Sequence, residues 1–366
     1  MNVLFEPLKI GAVEIPNRVI MAPLTRGRAT DDGVPTERMA EYYAQRASAG
    51  LIIAEATAVS AEGRGWMNSP GLFNEAQERG WKNIAERVHA KKGRLFVQLW
   101  HMGATVHPDF NDGDQPVSSS AVILNGTLRT PKGRDRPFVE PRALTIDEIS
   151  DRVQQFVAAA RRAIDAGLDG VELHAANGFL IDQFTRDSSN QRVDEYGGSV
   201  DKRLRFMLEI AKAVSAEIGA DRVGIRLSPT NSVWGISDSQ YEQTFVGAVE
   251  QLLPLQLAYI HLLENKPGGD DGIHTSIDYL TPKLAELVGT QSVTKLIVNG
   301  GYDRDSAEEA IDDKQGDAVA FGTPFIANPD LVERYKAGAR LAQPDSATFY
   351  TNGEQGYTDY AAANRF

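Results

Sequence analysis

The chain alternates short apolar runs, rich in β-branched residues, with longer amphipathic stretches. Short apolar runs predict buried strands, and apolar residues at helical spacing predict helices. The predicted strands are 18–22, 51–56, 95–100, 170–173, 223–227, 258–263, 295–298 and 318–321. The predicted helices are 37–49, 75–91, 145–166, 200–218, 239–252, 279–288, 304–313 and 329–340. Eight strands and eight helices in strict alternation predict a (β/α)8 TIM barrel.

A doubly wound open sheet is the main structural alternative, because it also alternates strands with helices. Such a sheet usually has a glycine-rich turn after its first strand. Here the first strand ends in Ala22-Pro23-Leu24-Thr25, and no GxGxxG sequence follows any predicted strand. We therefore predict a single α/β domain over residues 1–366, folded as a (β/α)8 barrel.

Two long irregular segments follow predicted strands at the carboxyl face of this barrel. Residues 102–143, after the third strand, are rich in proline, glycine, serine and aspartate. A loop of this length in a compact domain is usually functional or disordered. Since active sites of these barrels lie at that face, we predict a lid at 102–143 rather than a passive insertion. A second loop, 265–277, follows the sixth strand on the same face.

Composition excludes several classes of protein. The chain has no cysteine, which excludes disulfides, thiolate metal sites and cysteine nucleophiles. Its formal net charge of −12 argues against nucleic-acid binding. No apolar run reaches the roughly 18 residues of a membrane span, and residues 1–10 lack the basic and apolar regions of a signal peptide. We therefore expect a cytoplasmic protein whose partners include neither nucleic acid nor membrane.

Glycines follow the last two predicted strands, where barrels of this kind usually bind phosphate. They are Gly300 and Gly301 after the seventh strand and Gly322, next to Thr323, after the eighth. Glycine lets backbone N–H groups approach an anion closely, and a helix N-terminus favours negative charge. Tight turns alone would also explain the glycines, but their position favours a phosphate site.

Gln98 and Arg226 lie near the ends of the third and fifth strands. A side-chain amide both donates and accepts hydrogen bonds, which suits the alternating N3–H and carbonyl groups of a flavin edge. A guanidinium there would stabilise the negative charge of the reduced ring. A buried ion pair of Arg226 with Glu55 or Glu172 is an equally good interpretation.

His174 and Asn177 are three residues apart, after the fourth predicted strand. If a turn follows the strand, both side chains can donate to the same carbonyl or nitro oxygen. A lone histidine is usually a satisfied core residue, but the asparagine and the strand-end location favour a functional role. The six histidines fall on different units and form no HxH or HExxH pattern, so we expect no metal site.

Several sequence blocks resemble the signatures of the Old Yellow Enzyme family, in order along nearly the whole chain. They are Met21-Ala22-Pro23-Leu24-Thr25-Arg26, Gln98-Leu99-Trp100-His101, His174-Ala175-Ala176-Asn177-Gly178, Asp194-Glu195-Tyr196-Gly197-Gly198-Ser199, Gly224-Ile225-Arg226-Leu227-Ser228-Pro229, Phe325-Ile326-Ala327-Asn328-Pro329-Asp330-Leu331 and Gly356-Tyr357-Thr358-Asp359-Tyr360. The resemblance implies non-covalent FMN, NADPH or NADH as hydride donor, and ping-pong reduction of electron-poor alkenes, nitro compounds or nitrate esters.

The resemblance also implies roles for individual residues. Thr25 would hydrogen-bond the flavin O4 and tune its potential, while His174 and Asn177 would bind the substrate oxygen. The other expected flavin contacts are Pro23, Leu24 and Ala56 at the ring, Gln98 and Arg226 at the pyrimidine edge, and Gly300, Gly301, Gly322 and Thr323 at the phosphate. The residues expected to line the substrate pocket are Trp66, Trp100, Phe179 and Tyr350.

The chain departs from the family pattern at two positions. The family usually has a proton-donating tyrosine where this chain has Phe179, and an arginine or lysine where it has Thr323. The first change leaves open an isomerase-like or mainly nitro-reducing member of the family. From other classes, a flavin-free barrel lyase or hydrolase and a flavin-binding protein without turnover stay as alternatives. The natural substrate, the choice of NADH or NADPH and the oligomeric state are open.

Overall fold

Eight parallel strands close into a barrel in a computed structural model, which describes residues 2–264, 280–289 and 292–363. Each strand pairs with the strands before and after it in the chain, and the eighth pairs with the first. The barrel strands are β1 (Val19–Met21), β2 (Leu51–Ala58), β3 (Leu95–Trp100), β4 (Gly170–His174), β5 (Val223–Leu227), β6 (Tyr259–Leu263), β7 (Lys295–Asn299) and β8 (Ala318–Phe321). The predicted (β/α)8 fold is confirmed.

Helices lie between successive strands in the described part of the chain. They are α1 (Glu37–Gln45), α2 (Glu75–Ala90), α3 (Ile146–Asp165), α4 (Leu180–Thr185), α5 (Val200–Ile218), α6 (Tyr241–Leu252), α7 (Thr281–Val288), α8 (Arg304–Asp312), α9 (Thr323–Ala327) and α10 (Leu331–Ala337). The short helices α4 and α9 were not predicted. The predicted loop 265–277 lies outside the described residues. No helix in the described ranges is long and apolar enough to cross a membrane.

Local sequence explains where α3 begins and ends. The Thr145 hydroxyl accepts from the N–H of Glu148, and the Glu148 carboxylate accepts from the N–H of Thr145. This is a complete capping box, which satisfies two backbone donors at the helix start. Gly167 follows the helix with φ +86°, a conformation that favours glycine.

A hairpin closes the amino end of the barrel. Its strands, Leu8–Ile10 and Val13–Ile15, pair antiparallel, and Ile10 and Ile15 pack against the barrel interior. Its turn needs glycine at position 11, because φ is +52° and a Cβ would lie 2.0 Å from the carbonyl oxygen of Asp221. The hairpin covers this end, so a ligand can reach the barrel only from the carboxyl end of the strands.

The segment 102–143 carries secondary structure of its own. It contains an antiparallel hairpin, Thr127–Arg129 with Asp135–Pro137, and a short parallel pair, Val117–Ser118 with Arg142–Ala143. Phe138 packs edge-on against Trp234, with ring centroids 5.1 Å apart. The segment is therefore held at the carboxyl end of the barrel, while its action as a lid stays a prediction.

Candidate active site

A cavity of about 460 Å³ opens at the carboxyl ends of the barrel strands. Every predicted site residue lines it except the three glycines. The predicted residues that line it are Pro23, Leu24, Thr25, Ala56, Trp66, Gln98, Trp100, His174, Asn177, Phe179, Arg226, Thr323 and Tyr350. Seven elements of the chain, distant in sequence, thus converge on one site, as the strand-end argument predicted.

The turn after β1 is held in place by a buried glutamate. The Glu55 carboxylate, on β2, accepts from the N–H groups of Arg26 and Gly27 at 3.1 and 3.2 Å and from the Tyr43 hydroxyl at 3.0 Å. Burial raises the pKa of Glu55, and these hydrogen bonds oppose the rise. The network fixes the backbone beside Thr25, which faces the cavity.

Gln98 is oriented by a second buried carboxylate. In the barrel register Gln98 pairs with Glu172, and the Gln98 Nε2 donates to Glu172 Oε1 at 2.7 Å. Glu172 Oε2 lies 2.8 Å from the His261 Nδ1. Burial favours a higher pKa for Glu172, but His261, Arg226 and Gln98 together hold it below its ordinary value. Because Gln98 Nε2 donates to Glu172, the side-chain carbonyl oxygen of Gln98 is the atom available to accept a hydrogen bond from a ligand.

Arg226 makes no close ion pair with Glu55 or Glu172, although the charge of Glu172 opposes the lowering of the Arg226 pKa by burial. Its Nη2 donates instead to Asn299 Oδ1 at 2.7 Å, and Asn299 Nδ2 donates to the Ala320 carbonyl. The Arg226 Nε is buried and has no acceptor among the described residues. A buried cation with an unused donor, facing a cavity, is suited to an electron-rich ligand edge.

His174 is buried beside Arg226 and is neutral. It pairs with Arg226 in the barrel register, and only 4% of its surface is exposed. Burial, with the charges of Arg226 and His261, holds the pKa of His174 well below its ordinary value. Its Nδ1 has no partner in the described ranges. A neutral imidazole carries one N–H donor.

Asn177 completes the donor pair on the turn after β4. Its φ is +58°, a left-handed conformation that asparagine adopts more readily than most residues. The Asn177 N–H donates to the Ser228 Oγ at 2.9 Å, and its Oδ1 accepts from the Asn231 Nδ2 at 2.9 Å. Asn177 and His174 line the same cavity, and that both donate to one ligand oxygen stays a prediction.

Aromatic rings form the walls of the cavity. Trp100 stacks nearly parallel to His174, with centroids 6.3 Å apart. Phe179 packs edge-on against both rings, at 4.8 Å from Trp100 and 5.0 Å from His174. Tyr350, which is 60% exposed, contacts Trp66 at 5.2 Å. The wall at position 179 therefore carries no proton to donate.

The three glycines predicted to bind phosphate lie outside the cavity lining, whereas Thr323 lies in it. Gly300 and Gly301 follow β7 with φ values of +134° and +67°. Gly322 caps α9, and Thr323 is its first residue and is exposed. The φ values account for the glycines after β7, since other residues rarely adopt them. Phosphate binding at this edge stays a prediction.

Sequence reasoning missed part of the lining, including Arg26, Asn231, Trp234 and Phe349. Arg26 lies in the same sequence block as Thr25, and Phe349 adjoins Tyr350, so adjacency to predicted residues was an available signal. Asn231 and Trp234 lie in the irregular segment after β5. No sequence pattern marks them.

The chain is similar to known proteins over almost its whole length. Residues 3–342 match the family described as NADH:flavin oxidoreductase / NADH oxidase. A probable flavin mononucleotide-dependent alkene reductase of Leishmania infantum is 40% identical over 367 residues, which are 98% of this chain and 97% of the relative.

Two solved structures share the fold closely. The old yellow enzyme homologue from Zymomonas mobilis has a TM-score of 0.95 and 45% identity, covering 98% of this chain and 99% of that one. Morphinone reductase in complex with tetrahydroNAD has a TM-score of 0.91 and 44% identity, covering 99% of this chain and 98% of that one.

Proposed function

Because this chain belongs to the Old Yellow Enzyme family of FMN-dependent oxidoreductases, we propose that it reduces the C=C bond of α,β-unsaturated carbonyls and nitroalkenes. NADPH or NADH is the hydride donor. The observation that carries the choice of substrate is the donor pair His174 and Asn177, which face one cavity beside a buried Arg226. Each of these side chains can donate a hydrogen bond, and a carbonyl or nitro oxygen in the cavity would be a suitable acceptor.

The cavity residues fit FMN. Gln98 Nε2 donates to Glu172, so the Gln98 oxygen is available as an acceptor. The buried Arg226 Nε is available as a donor. This pair matches the alternating N–H and carbonyl groups of the flavin pyrimidine edge. When bound, FMN would supply the chemistry of hydride transfer from the nicotinamide to the substrate β-carbon. In the proposal Pro23, Leu24 and Ala56 contact the ring system, Thr25 bonds the flavin O4, and the phosphate lies against Gly300, Gly301, Gly322 and Thr323.

His174 and Asn177 activate the substrate by polarising its oxygen. A hydrogen bond to this oxygen withdraws electrons from the conjugated double bond, so the β-carbon becomes a better hydride acceptor. The neutral state of His174 matters, because it donates one N–H without placing a second charge beside Arg226. Trp66, Trp100 and Tyr350 exclude water and orient the alkene.

Reduction of nitro compounds and nitrate esters is the second candidate function. It is favoured by Phe179, since an enone requires a proton at its α-carbon and a phenylalanine cannot supply it, whereas a nitrate ester has no such requirement. The donor pair suits a nitro oxygen equally well. We also propose a single domain in which 102–143 acts as a lid, and a cytoplasmic location where NAD(P)H is available.

Anaerobic stopped-flow spectroscopy tests the proposal. The purified protein should be yellow, lose its flavin absorbance with NADPH, and regain it with 2-cyclohexenone. A colourless protein would favour a flavin-free lyase or hydrolase. A protein that NADPH does not bleach would favour flavin binding without turnover.

The His174→Ala variant tests the donor pair in the same assay. Loss of one oxyanion donor slows reactions by roughly 10²–10³-fold elsewhere, and we expect about 10–100-fold here because Asn177 shares the task. Reoxidation by oxygen needs no such donor and should change little. His89→Ala, at a partly exposed histidine paired with Asp169, is the control. Equal losses in the rates of flavin reoxidation by the enone and by oxygen would contradict the role of His174 as a donor to the substrate oxygen.

A further inference from the structure

A short hydrogen-bond chain connects the backbone after β5 to the amide of Asn177. The Val233 N–H donates to Asn231 Oδ1 at 3.0 Å. The Asn231 Nδ2 then donates to Asn177 Oδ1 at 2.9 Å. Asn231 also lines the cavity. The chain contains no charged group and joins two residues that are 54 positions apart.

The Val233 N–H determines which atoms donate and which accept along this series of hydrogen bonds. A backbone N–H can only donate, so the Asn231 oxygen faces Val233 and its NH2 group faces Asn177. A side-chain amide can accept a hydrogen bond from this NH2 group only through its oxygen. Asn177 therefore directs its oxygen at Asn231. Its own NH2 group donates to no acceptor in the described ranges and is left for a ligand.

The same segment holds the backbone of Asn177. Ser228 Oγ accepts the Asn177 N–H at 2.9 Å, and Asn177 has a left-handed φ of +58°. The next residue is also fixed, because the Gly178 N–H donates to Asp182 Oδ2 at 2.9 Å. With its backbone and one end of its side chain held, Asn177 keeps one orientation.

We propose that Asn231 is a positioning residue that makes Asn177 a hydrogen-bond donor toward the substrate. This inference rests on the proposed function, in which Asn177 binds the substrate oxygen. Without Asn231 the Asn177 amide could turn and present its oxygen instead. These hydrogen bonds therefore favour ligands that place an acceptor beside the Asn177 NH2 group, such as a carbonyl or nitro oxygen. Ligands that place a donor there are disfavoured.

The Asn231→Asp variant reverses the relay with little change in side-chain size. An aspartate would accept from the Val233 N–H and also require a donor from Asn177, so the Asn177 oxygen would face the substrate oxygen. Exchange of one donor for an acceptor should slow flavin reoxidation by 2-cyclohexenone about 10–100-fold. Asn231→Ala removes the hydrogen bond to Asn177 without reversing it. The rate of flavin reoxidation by 2-cyclohexenone should then fall only about 2–5-fold. Reoxidation by oxygen should be unchanged in both variants.

Two controls separate positioning from charge and from folding. Ser232→Asp places a carboxylate on the adjacent exposed residue and should react with the enone like the unmodified enzyme. In an Asn177→Ala background, aspartate and asparagine at position 231 should give the same enone rate, since a double-mutant cycle isolates their coupling. If Asn231→Asp fails to retain FMN, the Asn231→Ala loss with enone but not with oxygen remains a test.

Two results would overturn the inference. The first is an equal enone rate for Asn231→Asp and Asn231→Ala, and the second is a loss in Asn231→Asp that persists in the Asn177→Ala background. Either result would show that Asn231 does not act through Asn177. Failure of the unmodified enzyme to react with any enone, nitroalkene or nitrate ester is a different result. It would remove the proposed function itself, and with it this role.

Discussion

At the scale of single residues, we propose that Phe179 has the largest effect on which substrates the enzyme reduces. Its ring packs against Trp100 and His174 at the cavity wall, where it carries no proton. After hydride reaches the β-carbon of an enone, the α-carbon must receive a proton. A positioned acid contributes about 10²–10⁴-fold to such a step. We propose that water is the donor here, since Tyr350 is an exposed residue that packs against Trp66.

We therefore expect Phe179→Tyr to raise the rate with 2-cyclohexenone, by up to the factor for a positioned acid. The rate with a nitrate ester should stay nearly constant, because that reaction needs no α-carbon proton. Steady-state turnover with both oxidants measures the difference. The solvent isotope effect on enone reduction should also fall in the variant.

A Phe179→Leu variant distinguishes the effect of adding a proton donor from the effect of changing the shape of the cavity wall. It changes the ring without adding an acid, and should give no gain with the enone. If Phe179→Tyr raises neither rate, or changes both alike, protonation does not limit enone reduction and Phe179 serves only as a wall.

At the scale of elements, the C-terminal segment is attached to the barrel by arginines from the turn after β1. The Arg28 guanidinium donates to the carbonyls of Phe349 and Thr348 at 2.8 and 3.0 Å, and its Cζ lies 4.6 Å from the Tyr357 ring centroid. Burial lowers the pKa of Arg28, and the neighbouring Arg26 lowers it further. These contacts hold the segment that brings Phe349 and Tyr350 to the cavity.

Arg28→Met should loosen this segment. It removes the hydrogen bonds of a charged group to this segment, and leaves the Phe349 carbonyl with Arg26 Nε and the Thr348 carbonyl with Thr351 Oγ1 as donors. Loss of a hydrogen bond to a charged group is worth about 1.5–3 kcal/mol. We expect a loss of that order in the free energy of urea unfolding and faster proteolysis after residue 345. The KM for 2-cyclohexenone should also rise several-fold on the scale of that free energy, with oxygen reactivity retained.

Arg38→Met is the matched control, since Arg38 contacts the same segment through an exposed ion pair with Glu354 at 3.9 Å. Exposed pairs contribute about 0–1 kcal/mol, so this variant should be almost unchanged. Equal effects of the two substitutions would show that the buried hydrogen bonds of Arg28 do not anchor the segment.

Strands and helices were predictable because their signal is local. The eight apolar runs match the observed strands within about two residues, and Thr145 with Glu148 marked the start of α3 correctly. Attachment of the C-terminal segment was not predictable in this way. Arg28 and Phe349 are 321 positions apart, and no spacing rule connects an arginine to a distant carbonyl.

Site residues were predictable where they end strands, because a parallel barrel gathers strand ends at one face. His174, Gln98 and Arg226 followed from that rule. Their partners did not, since the contact of Gln98 with Glu172 depends on strand register, and register follows from barrel closure. Asn231 lies on an irregular segment, and its role depends on one backbone N–H.

At the scale of the whole molecule, the proposed FMN contacts join strands from both sides of the barrel. Ring contacts come from β1, β2, β3 and β5, and phosphate contacts come from the turns after β7 and β8. A ligand that binds only the folded state stabilises it by RT ln(1 + [L]/Kd), about 2.7 kcal/mol at 100 times Kd. The melting temperature should therefore rise with added FMN.

In the proposed phosphate site Thr323 would limit that rise, because it would offer the phosphate a hydroxyl and an N–H but no charge. Thr323→Arg adds a charge-assisted hydrogen bond of about 1.5–3 kcal/mol, so the Kd for FMN should fall about 10–100-fold and FMN should survive dialysis better. The melting temperature should rise in the FMN-loaded protein and stay constant in the apoprotein. Thr323→Met, similar in length but uncharged, should reproduce neither effect. An equal rise in both forms would mean that arginine stabilises the barrel itself and that the phosphate does not lie at this turn.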